Sequence, residues 1–549
     1  MLGSMGSEQP RAAPLPALTN ATRRHRHRRV LLLLPAFPSS VVAGYSKVMR
    51  WSGKKAAEPN LGLITLAGLL PQSWDMKHLD LSFQPLDEAD WDECDTVMMT
   101  GMTIQAEEVM RLTREAKRRG KVVVIGGPWV FHASEEARAA GADIVVVGEV
   151  EGAMERLLEC LDNDDYGHVI RGPLADMTTS PPPRWDLLDM KSYMSMPVQF
   201  CRGCPFHCEF CDVTVMMGKT VRDKTPQQVL NELQILYDLG WRGEVAFVDD
   251  NIIGNIKRVA KLCRELIPWM RAHGYPFEFQ TQTSLNLAQK PELLSLMVEA
   301  GFTRTCVGIE SLEQESLEET KKYQNMRIDQ EKALRTIGKA GIRVKCTLII
   351  GFDSEEPDVD KRLIAFAERT RIADVLLNPL VAYPGTALWK RLEKTGRLFS
   401  ESDRNLGEVA RLPNFVPVRP IADIARELIN FFETVYEPKR CLERAFDQIT
   451  ELGLTPARRR LHWPRAYQWR LMLAVSAQHG IRNATRRTFW RFLATIAWRS
   501  PAKVYDFLSM LAYAQNYFDH RLVVRRSVSS TAEQWQNHPI GPAGLGATA

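Results

Sequence analysis

Eleven strand-like runs, separated by helix-length segments, constrain this chain more than any other feature. The first five begin at Val30 (VLLLLP), Met76 (MKHLDLS), Thr96 (TVMMTG), Lys121 (KVVVIGGP) and Ile144 (IVVVGE), with helical segments such as Glu107 to Arg119 between them. Most are apolar without alternation, the signature of strands buried on both faces in a parallel sheet. Residues 30–175 therefore predict a doubly wound, flavodoxin-like domain whose ligand lies beyond the carboxyl ends of the strands. Those ends hold Thr100-Gly101, Gly126-Gly127-Pro128 and Gly148-Glu149. Glycine lets a broad, flat ligand approach the backbone. Each could also be an ordinary strand-ending turn, but three on one edge favour a site.

TTSPPPR (from Thr178) breaks the rhythm, and residues 176–190 read as a linker. Six further strands follow, in MPVQFC (from Met196), EVAFVDD (from Glu244), FEFQTQT (from Phe277), TRTCVGI (from Thr303), IRVKCTLIIG (from Ile342) and ADVLLNPLVAY (from Ala373). With helices at Pro226 to Leu239, Lys257 to His273, Pro291 to Ala300 and Gln330 to Ala340, residues 191–415 predict a partial (β/α)6 barrel, its chemistry at the C-terminal strand ends. Residues 416–535 read as a helical domain, with helices at Ala422 to Tyr436, Tyr467 to Gln478, Thr485 to Arg499 and Ala502 to Phe518. Residues 1–29 and 536–549 lack apolar periodicity and are expected to be disordered. The overall class is α/β.

At 549 residues, with 45% hydrophobic and 25% charged residues, the chain suits three or four globular domains and excludes collagen, a disulfide miniprotein and wholesale disorder. No apolar run approaches the roughly 18 to 20 residues of a membrane span. The basic run Arg23 to Arg29 precedes too short an apolar stretch for a signal peptide, so a cytoplasmic location is expected. Charge is uneven: residues 1–29 carry +5, residues 451–549 carry +10, and the middle −10. The tail interleaves arginine with Trp463, Trp469, Trp490, Trp498 and Trp535. Three readings of it stay open: packed helices with solvated arginine faces, an interfacial surface for a membrane, or a groove for nucleic acid, the last being the least favoured.

Four of the ten cysteines crowd into CRGCPFHCEFC, Cys201 to Cys211, after the first barrel strand. Cys204, Cys208 and Cys211 form C-x3-C-x2-C, and three soft thiolates suit three irons of a [4Fe-4S] cluster, leaving the fourth iron open. A structural zinc site would want four ligands, commonly in paired C-x2-C knuckles. Cys201 is expected to line the strand end, and His207 to be a loop residue. Further polar groups sit at the barrel's strand ends: Asp249 and Asp250; Gln280, Gln282 and Ser284; Gly308, Glu310 and Ser311; and Gly351. Singly, an acid there is often a helix cap; together they mark a rim.

The cysteine motif, with Phe210 before its last cysteine, resembles that of the radical S-adenosylmethionine superfamily. Over residues 30–400 the chain is similar to cobalamin-dependent class B methyltransferases, in GLITLAGLLP (from Gly62), VVVIGGP, VGEVEG, CRGCPFHCEFCD, FVDDNIIGN, VGIES and LIIGFDSE. The helical tail resembles the branch with hopanoid C-2 methylases and bacteriochlorophyll side-chain methylases. The resemblance implies one [4Fe-4S] cluster on Cys204, Cys208 and Cys211, and S-adenosylmethionine on the rim with Phe210, Asp249 and Asp250 among its contacts. It also implies cobalamin against the glycine-rich edges of the first domain. The D-x-H-x-x-G motif is missing, which in this branch implies methylcobalamin without a protein histidine on cobalt; His132, four residues beyond Pro128, could contact the nucleotide tail, a surface role being favoured.

By resemblance, one S-adenosylmethionine methylates cobalamin and a second is cleaved to a 5′-deoxyadenosyl radical, which takes a hydrogen from an unactivated substrate carbon that then collects the methyl group. Tyr383 could face substrate or simply pack. Neither a Ser-His-Asp nor an H-E-x-x-H constellation is present. A cobalamin-dependent cyclase or rearrangement enzyme would share every motif; a cobalamin sensor with a nucleic-acid-binding tail would not need the cysteines. The expected partners are a small-molecule substrate, either hydrophobic, amphiphilic or polycyclic by analogy, or a specialised metabolite; a flavodoxin- or ferredoxin-like reductant; and, on one of the three readings of the tail, a membrane surface.

Overall fold

The computed structural model describes residues 25–38, 46–399, 412–459 and 464–536. The expectations for residues 1–24 and 537–549 lie outside these. His25 to Arg29, expected in the disordered extension, belong to the first domain: His25 Nδ1 lies 2.8 Å from Asp162 and the buried Arg28 donates to Thr96 Oγ1 at 3.1 Å.

Six strands make the first sheet, β1 (Arg29–Leu34), β2 (Asp75–Asp80), β3 (Thr96–Thr100), β4 (Val122–Gly126), β5 (Ile144–Val147) and β6 (His168–Arg171). They are all parallel, in the order β2-β1-β3-β4-β5-β6. The five expected strands are present and β6 extends the sheet. The order in which strands are added reverses between β1 and β3, the switch point where a doubly wound sheet opens a crevice. Alternate residues of β1 feed opposite faces, Leu32 and Leu34 one core, Leu31 and Leu33 the other.

The β1-to-β2 crossover is long and joins the domains. Its helix Ser46–Ser52 packs on the C-terminal helices, and Lys55 and Ala57 hydrogen-bond to the segment entering the barrel at Ser192 to Ser195. The expected linker is a packed strap with three short 3-10 turns and a fully buried Trp185. Pro182 seats against the helix Leu61–Leu69, where a Cβ on Gly68 would meet its carbonyl oxygen at 2.7 Å.

The second sheet begins with β7 (Ser195–Val198), and a two-residue ribbon, β8 (Cys201–Arg202) with β9 (Arg222–Asp223), brackets the cysteine loop. Then come β10 (Gly243–Phe247), β11 (Phe277–Thr283), β12 (Phe302–Glu310), β13 (Arg343–Ile350) and β14 (Val375–Pro379). Their order, β14-β13-β12-β11-β10-β7, is sequential and parallel: a six-stranded partial barrel. Phe279, Val307, Cys346 and Leu348 pack outward among the helices. With a period of two, Gln280, Gln282, Cys306, Lys345 and Thr347 then face the lumen.

The helical domain closes both the open edge and the floor of the barrel. Tyr436 hydroxyl donates to the Val375 carbonyl oxygen at 2.5 Å and accepts its N–H at 3.0 Å, capping edge strand β14. At the N-terminal strand ends Arg458 pairs with Asp506 at 2.6 Å and donates to the Thr303 carbonyl oxygen at 3.1 Å. The last helix, Val504–Gln536, runs well past Phe518, where its expected end lay.

Two buried histidines give this domain a pH dependence. Burial lowers both His479 and His520 to about 4, and among the described residues His479 Nε2 has no hydrogen-bond partner. Below pH 6.5 the unfolded chain takes up these protons while the folded chain does not until about pH 4, so stability falls as pH drops through that window. Each histidine is expected to cost about 2 kcal/mol by pH 5. Thermal unfolding at pH 7 and pH 5 checks this; His520→Leu should remove its share of the slope.

Candidate active site between the first domain and the barrel

The cysteine loop is built on the end of β7. Asp249, fully buried at the end of β10, accepts the N–H groups of Phe200, at 3.1 Å, and Cys201. Burial pushes its carboxyl up to about 6. Cys201 is buried beneath the loop, its thiol turned to the Asn251 carbonyl oxygen and its ionisation suppressed by burial and then by Asp249. Its expected place at the strand end is where the structure puts it.

Cys204, Cys208 and Cys211 are half-buried free thiols on the loop itself. Gly203, at φ 89°, lets the backbone pass where a Cβ would lie 2.6 Å from the Thr220 carbonyl oxygen. Burial pushes the Cys211 thiol up to about 12, and Cys208 and Cys204 add to that, so the three converge. Yet among the described residues they do not form a group with all ligand atoms within 4.8 Å. Two sulfurs on one zinc ion, each about 2.3 Å away, sit at most about 4.6 Å apart. As placed, at least one pair of these sulfurs is wider than that, a spacing with room for the larger cube of a four-iron cluster, whose usual protein ligands are thiolates. Gln324 Nε2 lies 3.5 Å from Cys208 Sγ and Asn251 Nδ2 4.0 Å from Cys204 Sγ, two amides facing sulfur.

Outside contacts hold the loop in place. Glu209 accepts from Arg391 at 3.0 Å, and the same guanidinium reaches Glu319 at 3.0 Å and Asp353 at 2.7 Å. Phe210 packs beside Phe352, Leu380 and Trp389. His207 is exposed, as a loop residue should be.

The other strand ends divide into groups facing the rim and groups satisfied internally. Asp250 is accessible at the mouth, where surrounding protein and then the Asp212 charge push its carboxyl up to about 6. Gln282 is exposed, and Ser284 binds Asn251 and Asn286. Glu310 holds a strained, left-handed φ of 65° and pairs with Lys322 at 2.7 Å. Gly308 is required beside it, since a Cβ would lie 2.2 Å from the Glu310 carboxylate. Ser311 accepts the Glu313 N–H, and Gly351, at φ 103°, ends β13. In contrast Asp249 is occupied by backbone N–H groups and Gln280 accepts from Arg304 at 2.9 Å, deeper in the lumen.

The first domain presents Thr100, Gly101, Gly126, Gly127, Pro128 and Gly148 at its strand ends, the edge from which Glu149 and His132 reach Arg222 and Asp212 of the barrel. Gly127 has φ 92°, and a Cβ there would lie 2.0 Å from Thr100 Oγ1. Glu149 is otherwise engaged. Its carboxylate pairs with Arg222 at 2.6 Å and Arg202 at 3.3 Å and accepts the Ala175 N–H at 2.8 Å, while Glu151 pairs with Arg202 at 2.8 Å. Glu149 thus ties the first domain to the barrel at the edge where the resemblance implies a cofactor contact, its carboxylate already engaged by the two arginines. Both arginines flank the cysteine loop and carried no sequence signal beyond that position. His132 is half-buried, facing Asp212 next to Cys211, and its Nε2 has no hydrogen-bond partner among the described residues. Tyr383 also lies near Asp212.

Comparison with known proteins matches residues 55–158 to the B12 binding domain and residues 198–367 to the radical SAM superfamily. An uncharacterised methyltransferase of Synechocystis sp. is 39% identical, over 91% of this chain and 93% of its own length. The hopanoid C-2 methylase of Rhodopseudomonas palustris is 31% identical over 85% and 88% respectively. The chain belongs to the cobalamin-dependent radical S-adenosylmethionine methyltransferases. Its cofactors are accordingly a [4Fe-4S] cluster, S-adenosylmethionine and cobalamin, acting on a small-molecule substrate. The radical S-adenosylmethionine methyltransferase TsrM of Kitasatospora setae, solved with cobalamin and a [4Fe-4S] cluster, shares the fold at a TM-score of 0.59 and 14% identity, over 89% of this chain and 99% of that one. The methyltransferase's C-terminal helices, residues 386–530, match a domain of unknown function. None of its described helices is long and apolar enough to cross a membrane.

Proposed function

We propose that this methyltransferase places a methyl group on an unactivated carbon of an amphiphilic, polycyclic molecule, consuming two S-adenosylmethionine molecules for each methyl transferred. The observation that carries this reading is the likeness to hopanoid C-2 methylase, which extends over 85% of the chain, more than the two cofactor-binding domains occupy. The bound cofactors supply a carbon-centred radical and the methyl group. The chain's residues position and shield them: Cys204, Cys208 and Cys211 hold the cluster, and Phe210, Asp250, Gln282, Ser284, Gly308 and Glu310 border the S-adenosylmethionine. Asp249 and Gln280 act from behind, as positioning groups. The edges at Thr100-Gly101, Gly126-Gly127-Pro128 and Gly148 take the corrin. The helical plug below the lumen keeps water from the radical.

Electrons come from a flavodoxin- or ferredoxin-like protein. All ten cysteines are free thiols, which suits a reducing cytoplasm, where the enzyme would work at a membrane face. Incubation with methyl-deuterated S-adenosylmethionine and separate lipid and aqueous cell extracts tests the substrate class. Label in a polycyclic lipid-phase component supports it; label confined to the aqueous fraction overturns it.

Gly127→Ala tests the corrin edge. The clash with Thr100, added to a positive φ that disfavours a side chain by more than about 1 kcal/mol, is expected to weaken cobalamin retention while leaving cluster assembly intact. Visible spectra of the two cofactors after gel filtration separate those effects.

A further inference from the structure

Between Leu452 and Tyr505 the chain carries eleven Lys or Arg and no Asp or Glu. This stretch contains the helix Ala466–Ala477, its continuation Gln478–Arg482, and the helix Arg486–Arg499. Their inner faces, with Leu471, Val475, Phe489 and Ile496, are buried in one apolar core. Their outer faces carry exposed apolar side chains as well as arginines. Trp469 and Leu473 are four residues apart and so share one side of the first helix, with Ile481 exposed on its continuation, and Trp490, Ala494 and Trp498, at successive intervals of four, share one side of the second. Leu473 and Ile481 are each 67% exposed and Trp498 is 90% exposed. The two sets adjoin where Trp490 donates its indole N–H to the Gly480 carbonyl oxygen at 2.9 Å. A Cβ on Gly480 would lie 2.7 Å from that ring, so the glycine seats it. Arg482, Arg486, Arg487 and Arg491 stand exposed around the patch.

Exposed tryptophan and aliphatic side chains ringed by arginine have the composition of a helix that lies in a lipid headgroup layer. Single-stranded nucleic acid would use the indoles for stacking but gains nothing from Leu473 and Ile481, which partition readily among acyl chains. We propose that this face seats the enzyme on an anionic bilayer, the indoles at headgroup depth and the arginines against lipid phosphates. This deepens the reading of an amphiphilic substrate, yet its test needs no turnover, so the two can fail separately.

The test is cosedimentation of the full-length protein with sucrose-loaded vesicles of phosphatidylcholine, with and without phosphatidylglycerol. Binding is expected to the anionic vesicles, weakening with salt. Arg487→Glu with Arg491→Glu should lower it at least about tenfold. Trp498→Ala, at a side chain with almost no packing, should lower it severalfold with the circular dichroism spectrum unchanged. Equal binding by wild type and both variants, no binding to anionic vesicles, or tighter binding to single-stranded RNA than to vesicles would overturn the proposal.

Discussion

Cys208→Ala is expected to give a folded protein with no iron–sulfur absorbance after anaerobic reconstitution and with methyl transfer at background. Its thiol lies with those of Cys204 and Cys211 on a loop pinned by Arg391 and by the packing of Phe210, so the loop should stay in place while the cluster loses one of three protein ligands. Cys201→Ala is the informative contrast. That side chain is buried against Asn251 and Asp249, and its loss should cost roughly 1 kcal/mol for a small void while the cluster assembles at full iron and sulfide content. Iron, sulfide and visible absorbance measured on both variants decide between three ligands and four. A Cys201→Ala protein without a cluster would mean that the triad has been drawn around the wrong sulfurs.

The second large effect lies at the domain seam. Arg222→Ala removes the partner from a Glu149 side chain that is only 2% exposed, leaving Arg202, already paired with Glu151, as the nearest cation. Breaking a buried pair on one side strands a charge and costs about 3 to 5 kcal/mol. Thermal unfolding should therefore shift well below wild type, and cobalamin retention on gel filtration should fall if the edge proposed for the corrin depends on this seam. Glu149→Gln in the same chain should recover part of the stability by removing the stranded charge. Unchanged melting of Arg222→Ala would show that the clamp is not what joins the domains.

Why the cysteine loop was legible and the seam was not is a matter of range. C-x3-C-x2-C is local, and buried parallel strands write continuous apolar runs, so all eleven expected strands are present. β6 was missed because His168–Arg171 is a short edge strand, only partly covered, and reads as HVIR. The last helix ran beyond expectation because its later turns bury only small side chains, Val524, Val528 and Ala532, a thin stripe set among His520, Arg525, Arg526 and serines. Glu149 and Arg222 are 73 residues apart, and nothing near either announces the other. Asp249 and Asp250 make the same point at closer quarters. They are adjacent acids of the same type, yet one is buried under the N–H groups of Phe200 and Cys201 and the other opens onto the rim. His132 likewise gained its place only from the packing that brings it to Asp212.

The central claim, that methyl transfer and radical generation share the cleft between these two domains, is tested most directly by product stoichiometry. The reconstituted enzyme would be given cobalamin, methyl-deuterated S-adenosylmethionine, a reductant and an accepted substrate, and the products counted by mass spectrometry. The account predicts equal amounts of 5′-deoxyadenosine and S-adenosylhomocysteine, each matching the labelled product. Formation of 5′-deoxyadenosine with a rearranged or cyclised product, and with neither S-adenosylhomocysteine nor label, would contradict it.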